Sequence, residues 1–373
     1  MNYRRFYLVI SLQLSILFVV QTAKTQDPFY IIAHMTNTKA AVDWALSQGA
    51  NALETDIRFN NDGNPITVSH GSPCDCICAL TNDHICKALD GDQCDGSAGS
   101  NDAVNHLQYI ATLNTVALLY IDSKVDPEWG SRLKKAGEAI IPFVDSNLMA
   151  KGFQGKVLIS AAKIASYDYI QAAVLTATNS AYKDRYFFTF DEEGNEYYDV
   201  ISMLSRLTTN RIYSTGTSGC LPKVFNSALT ASIAGRTTSE NGLTIIWTVD
   251  LDSSMEDYIN MGVHGILTNR VAALKNVANS MGLTLANPSS SIPISTKNLS
   301  SPNKCSCEYE NGGCSISFPA PLKAACKCIK VPIFPSCIGS VVSCDQSQAK
   351  CIQSDASKEA CQLGKGNCAG YIV

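Results

Sequence analysis

Short apolar runs alternate along most of the chain with longer stretches in which apolar residues recur at helical spacing. The first run, residues 29–33, ends at His34, and residues 38–47 then show the spacing of an amphipathic helix that Gly49 closes. Strands that alternate with helices favour a parallel sheet. A further helix is predicted around residues 102–113. The other predicted strands are residues 52–57, 66–69, 116–121, 140–144, 156–160, 186–190, 211–213, 244–249 and 265–267.

The stretch that carries this alternation, residues 27–283, has the length of one large domain. A (β/α)8 barrel typically needs about 250 residues, and no helical or solenoid repeat is visible in the sequence. The predicted fold class is therefore α/β, as a (β/α)8 TIM barrel. A formal net charge of −4 provides no electrostatic attraction for nucleic acid, which is not expected as a partner.

Residues 1–25 have the layout of a secretory signal peptide, because two arginines precede an apolar run at residues 6–20 and polar residues follow it. A membrane anchor is the rival interpretation, but the run is short and is interrupted by three polar side chains. Cleavage is expected between Ala23 and Gln26. The sequence thus predicts a secreted, extracellular protein.

Sixteen cysteines, an even number, fit disulfides formed in an oxidising compartment better than cytosolic metal ligands. Ten of them lie in residues 305–373, which contain too little apolar sequence for a large core, so disulfides are expected to stabilise this small C-terminal module. Residues 284–304 are rich in Ser and Pro and are predicted to be a linker, in which Asn298 begins an acceptor sequon for N-glycosylation. The sequence indicates neither a function nor a partner for the module.

Chemically reactive residues recur at one place in the pattern, at or just after the carboxyl end of an apolar strand. In a parallel barrel these ends converge on one rim, where such enzymes place their chemistry. Glu54 and Asp56 stand two residues apart, so both side chains point to the same face of their strand. The residues predicted to meet at the rim are His34, Glu54, Asp56, His70, Asp122, Lys124, Trp247, Asp250 and Asn269.

The carboxylates in this set predict a metal site. Glu54, Asp56 and Asp122, with no cysteine or histidine at ligand spacing, suit a hard cation, and the small number of protein ligands favours Mg²⁺ over Ca²⁺. An isolated Glu-x-Asp pair is more often a solvated strand face, so the metal interpretation depends on the other residues of the set. Without a cation the carboxylates would repel one another, so a metal or Lys124 must compensate.

The two histidines predict acid–base chemistry. His34 and His70 are suited to an in-line displacement near neutral pH, in which one exchanges a proton with the nucleophile and the other with the leaving oxygen. Metal and Lys124 would hold the phosphate oxygens. Trp247 fits a buried strand, but at a barrel rim its face would also hold a choline-like ammonium by cation–π attraction. The predicted chemistry is phosphodiester cleavage.

An ordered series of motifs over residues 30–270 resembles the spider-venom sphingomyelinase D, or phospholipase D toxin, family and its glycerophosphodiester phosphodiesterase relatives. The series is HM at 34–35, GANALETD at 49–56, NP at 64–65, HGSPCDC at 70–76, DSK at 122–124, WTVD at 247–250 and GILTN at 265–269.

The resemblance implies a role for each matched position. It implies that Mg²⁺ is bound by Glu54, Asp56 and Asp122 and that His34 and His70 are the catalytic pair. It further implies contacts to the phosphate and head group from Lys124 and Trp247, and support of His70 by Asp75.

The resemblance also implies a disulfide framework around the second histidine. One bridge would close a short loop just after His70, and another, here Cys76 with Cys220, would tie that loop to a distant one. The four cysteines left for two local bridges allow three connectivities. They are Cys74, Cys78, Cys86 and Cys94.

The chain also departs from those enzymes. They often carry an Asp after the strand that matches residues 156–160, where this chain has Lys163, and a Tyr two residues before the Trp, where it has Ile245. Residues 74–100 are longer and richer in cysteine than the matching loop. Head-group preference is therefore open.

The leading hypothesis is a secreted, Mg²⁺-dependent monomer that cleaves the head group of sphingomyelin or lysophospholipids at a membrane surface and forms a cyclic phosphate by intramolecular transfer. One alternative is a glycerophosphodiester phosphodiesterase, although many of those enzymes carry a large insertion where this chain has only residues 71–121. Another is a non-catalytic lipid- or glycan-binding barrel. Its expected signature, loss of a catalytic His or metal ligand, is missing from the sequence.

Overall fold

The computed structural model of the protein describes residues 27–71, 81–88, 102–191, 197–217 and 224–297, and the backbone of five short strands between residues 304 and 370. Some of the sequence predictions concern other parts of the chain. Those outside the described residues are the signal peptide, the sequon at Asn298, Asp75 and the cysteines Cys74, Cys76, Cys78, Cys94 and Cys220.

Eight parallel strands form a nearly closed barrel, and one further short strand pairs in the antiparallel sense with the carboxyl-terminal part of one of them. The strands are β1 Tyr30–Ala33, β2 Ala52–Phe59, β3 Pro65–Val68, β4 Leu118–Ser123, β5 Lys156–Ala161, β6 Tyr186–Phe190, β7 Tyr213–Gly216, β8 Thr244–Trp247 and β9 Gly265–Thr268. Around the barrel the order is β6-β5-β4-β2-β1-β9-β8-β7, and β3 pairs with β2. Between β6 and β7 the ring narrows to an isolated parallel bridge that joins Phe188 to Arg211. The predicted TIM-barrel architecture is confirmed in outline.

Helices cover the outside of the barrel and bury their apolar faces against the outward side chains of the strands. Two of them begin at side-chain caps, where Thr38 accepts from the amide of Ala41 and Asp102 from that of Asn105. Four short 3₁₀ turns lie at Pro127–Trp129, Met149–Lys151, Ile164–Ser166 and Lys183–Arg185. The α-helices are α1 Lys39–Ser47, α2 Ile85–Ala88, α3 Ala103–Ala111, α4 Ser131–Asn147, α5 Tyr167–Ala177, α6 Tyr197–Ser205, α7 Asn226–Thr237, α8 Asp252–Met261 and α9 Val271–Ser280.

The predicted strand at residues 140–144 is wrong, because these residues lie inside α4. Their β-branched side chains suggested a strand locally, but the buried positions of the helix recur every three or four residues, from Leu133 to Val144. Gly137 on this face lets α5 approach closely, since a Cβ atom there would lie 2.2 Å from the carbonyl oxygen of Tyr169. The period of the longer segment therefore outweighs the local β propensity.

Residues 285–297 run along the amino-terminal ends of the barrel strands, and we call these strand ends together with this segment the floor. Ala286 donates its amide to Phe29 O at 2.9 Å, and Arg211 donates from Nη2 to Lys297 O at 2.5 Å. Ile292 is buried with Ala286 in the cluster that fills the barrel interior. Part of the Ser/Pro-rich segment 284–304 thus packs against the barrel and closes its lower end.

The C-terminal region contains two small sheets. One is antiparallel, and in the other the first pair is antiparallel and the second parallel. Their strands are β10 Lys304–Ser306 with β11 Ser317–Pro319, and β12 Ala325–Lys330 with β13 Pro335–Ser340 and β14 Cys368–Gly370.

Candidate active site

Three carboxylates converge at the carboxyl ends of β2 and β4 because of the strand register. Asp56 lies directly opposite Asp122 in the parallel pairing, and Glu54 precedes Asp56 on the same inward face of β2. One oxygen atom from each carboxylate lies within 4.8 Å of the others. The predicted clustering of Glu54, Asp56 and Asp122 is therefore present.

Two of these carboxylates keep a buried oxygen without a partner among the described residues, Oε1 of Glu54 and Oδ1 of Asp122, while the buried Oδ1 of Asp56 is held by an ion pair with Lys124. Burial, reinforced by the charges of Asp56 and Asp122, raises the pKa of Glu54 well above its ordinary value. Buried acceptors without partners are costly. Their convergence fits a hard cation that takes oxygen ligands, so the residues present suit Mg²⁺.

The second oxygen of Glu54 is held by the backbone that follows β1. Met35 donates its amide to Oε2 at 2.6 Å, while Thr36 donates both its amide and its hydroxyl to the carbonyl oxygen of Glu54. Met35 adopts a φ of 50°, in the left-handed region, and its side chain is fully buried. The strained turn after His34 thus fixes the first carboxylate.

Lys124 partly neutralises the cluster. Its ammonium lies 2.7 Å from Oδ1 of Asp56, as an ion pair, and donates a hydrogen bond to Oδ2 of Asp122 at 2.5 Å. Burial by itself raises the pKa of Asp56, but the charges of Lys124 and His70 outweigh it and lower that pKa to about 2. Burial also opposes the charge of Lys124, and the three carboxylates together raise its pKa. One ammonium neutralises only part of the charge of three carboxylates, so the cluster can still bind a cation.

Asn37 is a site residue that the sequence analysis missed. Its Nδ2 donates to Oδ2 of Asp56 at 2.5 Å, and its Oδ1 accepts the amide of Asp56 at 2.9 Å. The side chain is completely buried and orients the second carboxylate. It lies three residues after His34, and that proximity was the signal available in the sequence.

His34 is held in one tautomer. Its Nδ1 lies 2.9 Å from Oδ1 of Asn269, and the amide of Asn269 is oriented because its Nδ2 donates to Oδ2 of Asp250 at 2.9 Å. An amide oxygen only accepts, so Nδ1 of His34 carries the proton and Nε2 keeps its lone pair. Although burial raises the pKa of Asp250, hydrogen bonds from His84 and Asn269 lower it overall, which keeps this carboxylate charged.

His70 stands opposite His34 with its ring half-exposed. The two ring centroids are 5.8 Å apart and the planes meet at 87°. Arg58, also missed in the sequence, holds the chain on either side: Nε donates to Ser69 O at 3.0 Å and Nη2 to His70 O at 2.6 Å. Gly71 follows with a φ of 99°, and a Cβ atom there would meet Nη2 of Arg58 at 2.0 Å. The position after His70 therefore requires glycine.

Trp247 lies across the barrel mouth at the end of β8 and is anchored by a carboxylate. Its Nε1 donates to Oδ1 of Asp191 at 3.1 Å, and the hydroxyl of Tyr120 donates to Oδ2 of Asp191. Burial, together with the charge of Asp122, raises the pKa of Asp191 to about 6. A Cβ atom on Gly216 of β7 would clash with the carbonyl oxygen of Trp247 at 1.5 Å, so glycine permits this approach.

The two residues at which the sequence departs from the resembled enzymes have different surroundings. Lys163 after β5 is exposed, whereas the next strand, β6, ends directly at Asp191, which contacts Trp247. Ile245 is fully buried two residues before Trp247 and belongs to the interior cluster.

The cysteine-rich stretch reaches the same end of the barrel through residues 81–88. Asp83 pairs with Arg270 through two contacts of 3.2 and 3.1 Å, and Ile85 donates its amide to Asn269 O at 2.9 Å. His84 is fully buried and lies 3.2 Å from Oδ2 of Asp250. Cys86 is disulfide-bonded.

All nine residues predicted for the mouth lie there in the structure, and we call this set the rim. It is built from six strand ends and the turns that follow them, and its members are His34, Glu54, Asp56, His70, Asp122, Lys124, Trp247, Asp250 and Asn269.

This fold and rim define the chain as a phosphodiesterase of the phospholipase D type, as the sequence resemblance predicted. A sequence model of the family described as dermonecrotic toxin SPH matches residues 24–286, more than half of the chain, and the chain belongs to that family.

The chain is similar to individual members of the family. It is 27% identical over 275 residues to a dermonecrotic toxin of Sicarius terrosus, covering 68% of this chain and 91% of that protein. It is 26% identical over 255 residues to one of Loxosceles deserta, covering 64% and 88%. Among solved structures, a glycerophosphodiester phosphodiesterase from Parabacteroides distasonis is 17% identical with a TM-score of 0.46, covering 69% and 99%.

Proposed function

We propose that the protein is a secreted, Mg²⁺-dependent phosphodiesterase that removes the head group of sphingomyelin or a lysophospholipid at a membrane surface, acting as a monomer. The observation that carries this proposal is the set of three converging carboxylates, two of them with an unpartnered buried oxygen, beside a facing histidine pair. A phosphodiester needs charge stabilisation on its oxygens and proton transfer on two sides. Both requirements are met within one rim.

Glu54, Asp56 and Asp122 would hold the metal through the carboxylate oxygens that converge between them. Bound there, Mg²⁺ supplies a positive charge that stabilises the phosphate oxygens. Lys124 adds a fixed ammonium on the same side, between Asp56 and Asp122. Asn37 and the amide of Met35 keep the carboxylates in place during the reaction.

The histidines divide the proton transfers. His34 is buried, and in the neutral ring protonated on Nδ1 the lone pair lies on Nε2, which suits it to accept the proton of the attacking hydroxyl. His70 is half-exposed on the opposite side and suits the donor that protonates the departing head-group oxygen. Trp247 presents its indole near the mouth, where it would contact a choline-type ammonium.

The nucleophile in this proposal is the hydroxyl of the lipid itself. Sphingomyelin and lysophospholipids carry a free hydroxyl close to the phosphate, and a held intramolecular nucleophile reaches effective molarities on the order of 10⁵ M or more. Attack forms the new P–O bond, the bond to the head-group oxygen breaks, and choline leaves as the alcohol. The lipid product is a cyclic phosphate.

A lipid panel with phosphorus NMR tests substrate and product together. Sphingomyelin, lysophosphatidylcholine and glycerophosphocholine are each incubated with the enzyme and Mg²⁺, and we expect a cyclic phosphate as the first product from the two lipids. A linear phosphomonoester as the first and only product would show that water is the nucleophile. Cleavage of glycerophosphocholine alone would support the glycerophosphodiester alternative.

Metal dependence and secretion are tested separately. Chelation should abolish turnover and Mg²⁺ should restore it, whereas full activity in excess chelator contradicts the metal assignment. Cells that express the full chain should release a protein that begins at residue 24, 25 or 26. No helix in the described part of the chain combines the length and apolar character of a membrane span.

A further inference from the structure

His84 is a fully buried histidine in the segment between the second catalytic histidine and α3. Neither the motifs in the sequence nor the proposed chemistry uses it. Burying an imidazole is unfavourable unless its nitrogens are satisfied, so its contacts are informative.

Both ring nitrogens of His84 have partners. Nδ1 accepts the amide of Cys86 at 3.2 Å, and a nitrogen that accepts carries no proton. In the neutral ring the proton is therefore on Nε2, which lies 3.2 Å from Oδ2 of Asp250 and donates to it. The backbone fixes the tautomer of His84, and His84 in turn orients a carboxylate of the rim.

From Asp250 the hydrogen bonds continue to His34. Oδ2 of Asp250 receives both His84 Nε2 and Asn269 Nδ2, while Oδ1 receives the amide of Asn269 at 2.8 Å. With its amide fixed in this way, Asn269 presents Oδ1 to Nδ1 of His34. The arrangement runs without a gap from residue 84 to the first catalytic histidine.

We propose that His84 is a positioning residue for catalysis, which through Asp250 and Asn269 holds His34 in the tautomer that is protonated on Nδ1. The proposal rests on the proposed function only in assigning His34 as the base. It makes the segment 81–88 part of the catalytic apparatus, a role that goes beyond closing a loop.

Anchoring of the segment does not require His84. Asp83 already pairs with Arg270 through two contacts, and the side chain of Ile85 is buried against Met35 and Ala41. An apolar residue at position 84 would avoid the cost of burying a polar ring. The polar contact to Asp250 is therefore the specific contribution of His84.

Two amide variants separate the contacts of the ring. His84→Asn places an oxygen near the position of Nδ1 and can still accept from Cys86, but it has no donor that reaches Asp250. His84→Gln reaches the position of Nε2 and can still donate to Asp250. Both variants bury one side-chain amide, so the free-energy cost of burying a polar group is similar in the two.

His264 provides a control at the other end of the barrel. Its Nδ1 accepts the amide of Thr244 at 3.0 Å, and its Nε2 lies 3.5 Å from Oδ2 of Asp27. Its contacts resemble those of His84 but lie at the floor. His264→Asn should lower stability without changing the state of His34.

The decisive readout is nitrogen-15 NMR of the imidazoles in the full chain with labelled histidine, because the sequence contains only five. We expect a single Nδ1-protonated tautomer of His34 in the wild type, in His84→Gln and in His264→Asn, and a mixture in His84→Asn. With Mg²⁺ and lysophosphatidylcholine, kcat of His84→Asn should fall about tenfold with KM unchanged, the usual scale for outer-layer positioning groups.

Equal His34 spectra and equal kcat in the Asn and Gln variants would overturn the proposal and leave His84 a structural residue. If His84→Asn does not fold, a shifted His34 tautomer in His84→Gln would equally contradict it. The NMR measurement needs no substrate, so it decides the positioning role even where the lipid panel rejects the proposed reaction.

Discussion

Buried charged groups are paired at the floor of the barrel, whereas like charges are brought together at the rim. At the floor, the fully buried Arg211 donates to three carbonyl oxygens, those of Glu240, Thr208 and Lys297, at 2.6, 2.9 and 2.5 Å. The side chain of Glu240 meets the ammonium of Lys297 at 2.5 Å. At the rim, three carboxylates share one ammonium.

The difference shows which end is shaped by stability and which by chemistry. A buried acceptor left without a partner costs about 1–3 kcal/mol, and like charges in contact add to that cost. The floor pairs these buried charged groups, whereas the rim holds three carboxylates against a single ammonium. The negative charge concentrated at these strand ends is what a bound cation would relieve.

The largest expected effect concerns the rim histidines. His34→Ala and His70→Ala should each lower kcat at least about a hundredfold, because general acid–base catalysis contributes on that scale. Turnover is measured at saturating lipid with Mg²⁺, and folding is checked by circular dichroism. The floor histidine gives the contrast, since His264→Ala should leave kcat unchanged. A folded His70→Ala enzyme with a near-normal rate would refute the catalytic pair.

Next in size is the loss of the floor arginine. Arg211→Met should lower the free energy of unfolding by about 3 kcal/mol, because three buried carbonyl groups lose their donor. Activity per folded molecule should stay the same. Arg211→Lys, which keeps the charge but not the fork of donors, should fall between Met and the wild type in urea unfolding. A large drop in kcat for Arg211→Met at a temperature where it is folded would mean that the two ends are coupled.

Most residues of the rim could be predicted from the sequence alone. Strand ends could be located from apolar runs of four to six residues, and a parallel barrel brings such ends together whatever the distances along the chain. Asp191 follows the run at residues 186–190 in the same way and could have been named by that rule. Lys163 shows the limit of the rule, because it also follows a strand and yet is exposed.

Other parts depended on contacts that no local pattern encodes. Residues 140–144 look like a strand by themselves, and only the longer helical period assigns them to α4. His84 lies in an irregular segment and meets Asp250 across 166 positions of sequence. The packing of residues 285–297 on the floor was hidden by a composition typical of linkers, since backbone groups make many of its contacts.

A third, smaller effect concerns the stability of the metal site. Glu54→Gln keeps the shape of the side chain and removes one charge from the cluster, so in the absence of metal it should raise Tm by about 2–4 °C, which is about 1 kcal/mol for a domain of this size. Mg²⁺ should raise the Tm of the wild type and much less that of the variant. Thermal unfolding with and without Mg²⁺ measures both shifts. A lower metal-free Tm in Glu54→Gln would contradict the charge argument.

The stability of the metal-free protein should depend on pH through Glu54, and the same variant tests this. In the metal-free fold the pKa of Glu54 is raised above its ordinary value of 4.5. The contribution of this group to stability is therefore fully present below about pH 4.5 and is lost as the pH rises through the folded-state value. Glu54→Gln should remove the part of the loss of stability with rising pH that is due to the titration of Glu54. Parallel stability curves above pH 4.5 for the two proteins would show that Glu54 does not titrate in this way.

The smallest effect separates two side chains on a single strand. Trp247 belongs to the rim and Ile245, two residues earlier, to the interior cluster, so substitutions at these positions should have different consequences. Trp247→Phe keeps an aromatic face but is a weaker cation–π partner, and it leaves Asp191 without the indole donor. For lysophosphatidylcholine we expect KM to rise about fivefold, which corresponds to about 1 kcal/mol. For lysophosphatidylglycerol, whose head group carries no cation, the change should be much smaller. Ile245→Val should lower the free energy of unfolding by about 1 kcal/mol and leave both KM values unchanged. Equal increases of KM for the two lipids in Trp247→Phe would show that the indole shapes the mouth without recognising the ammonium.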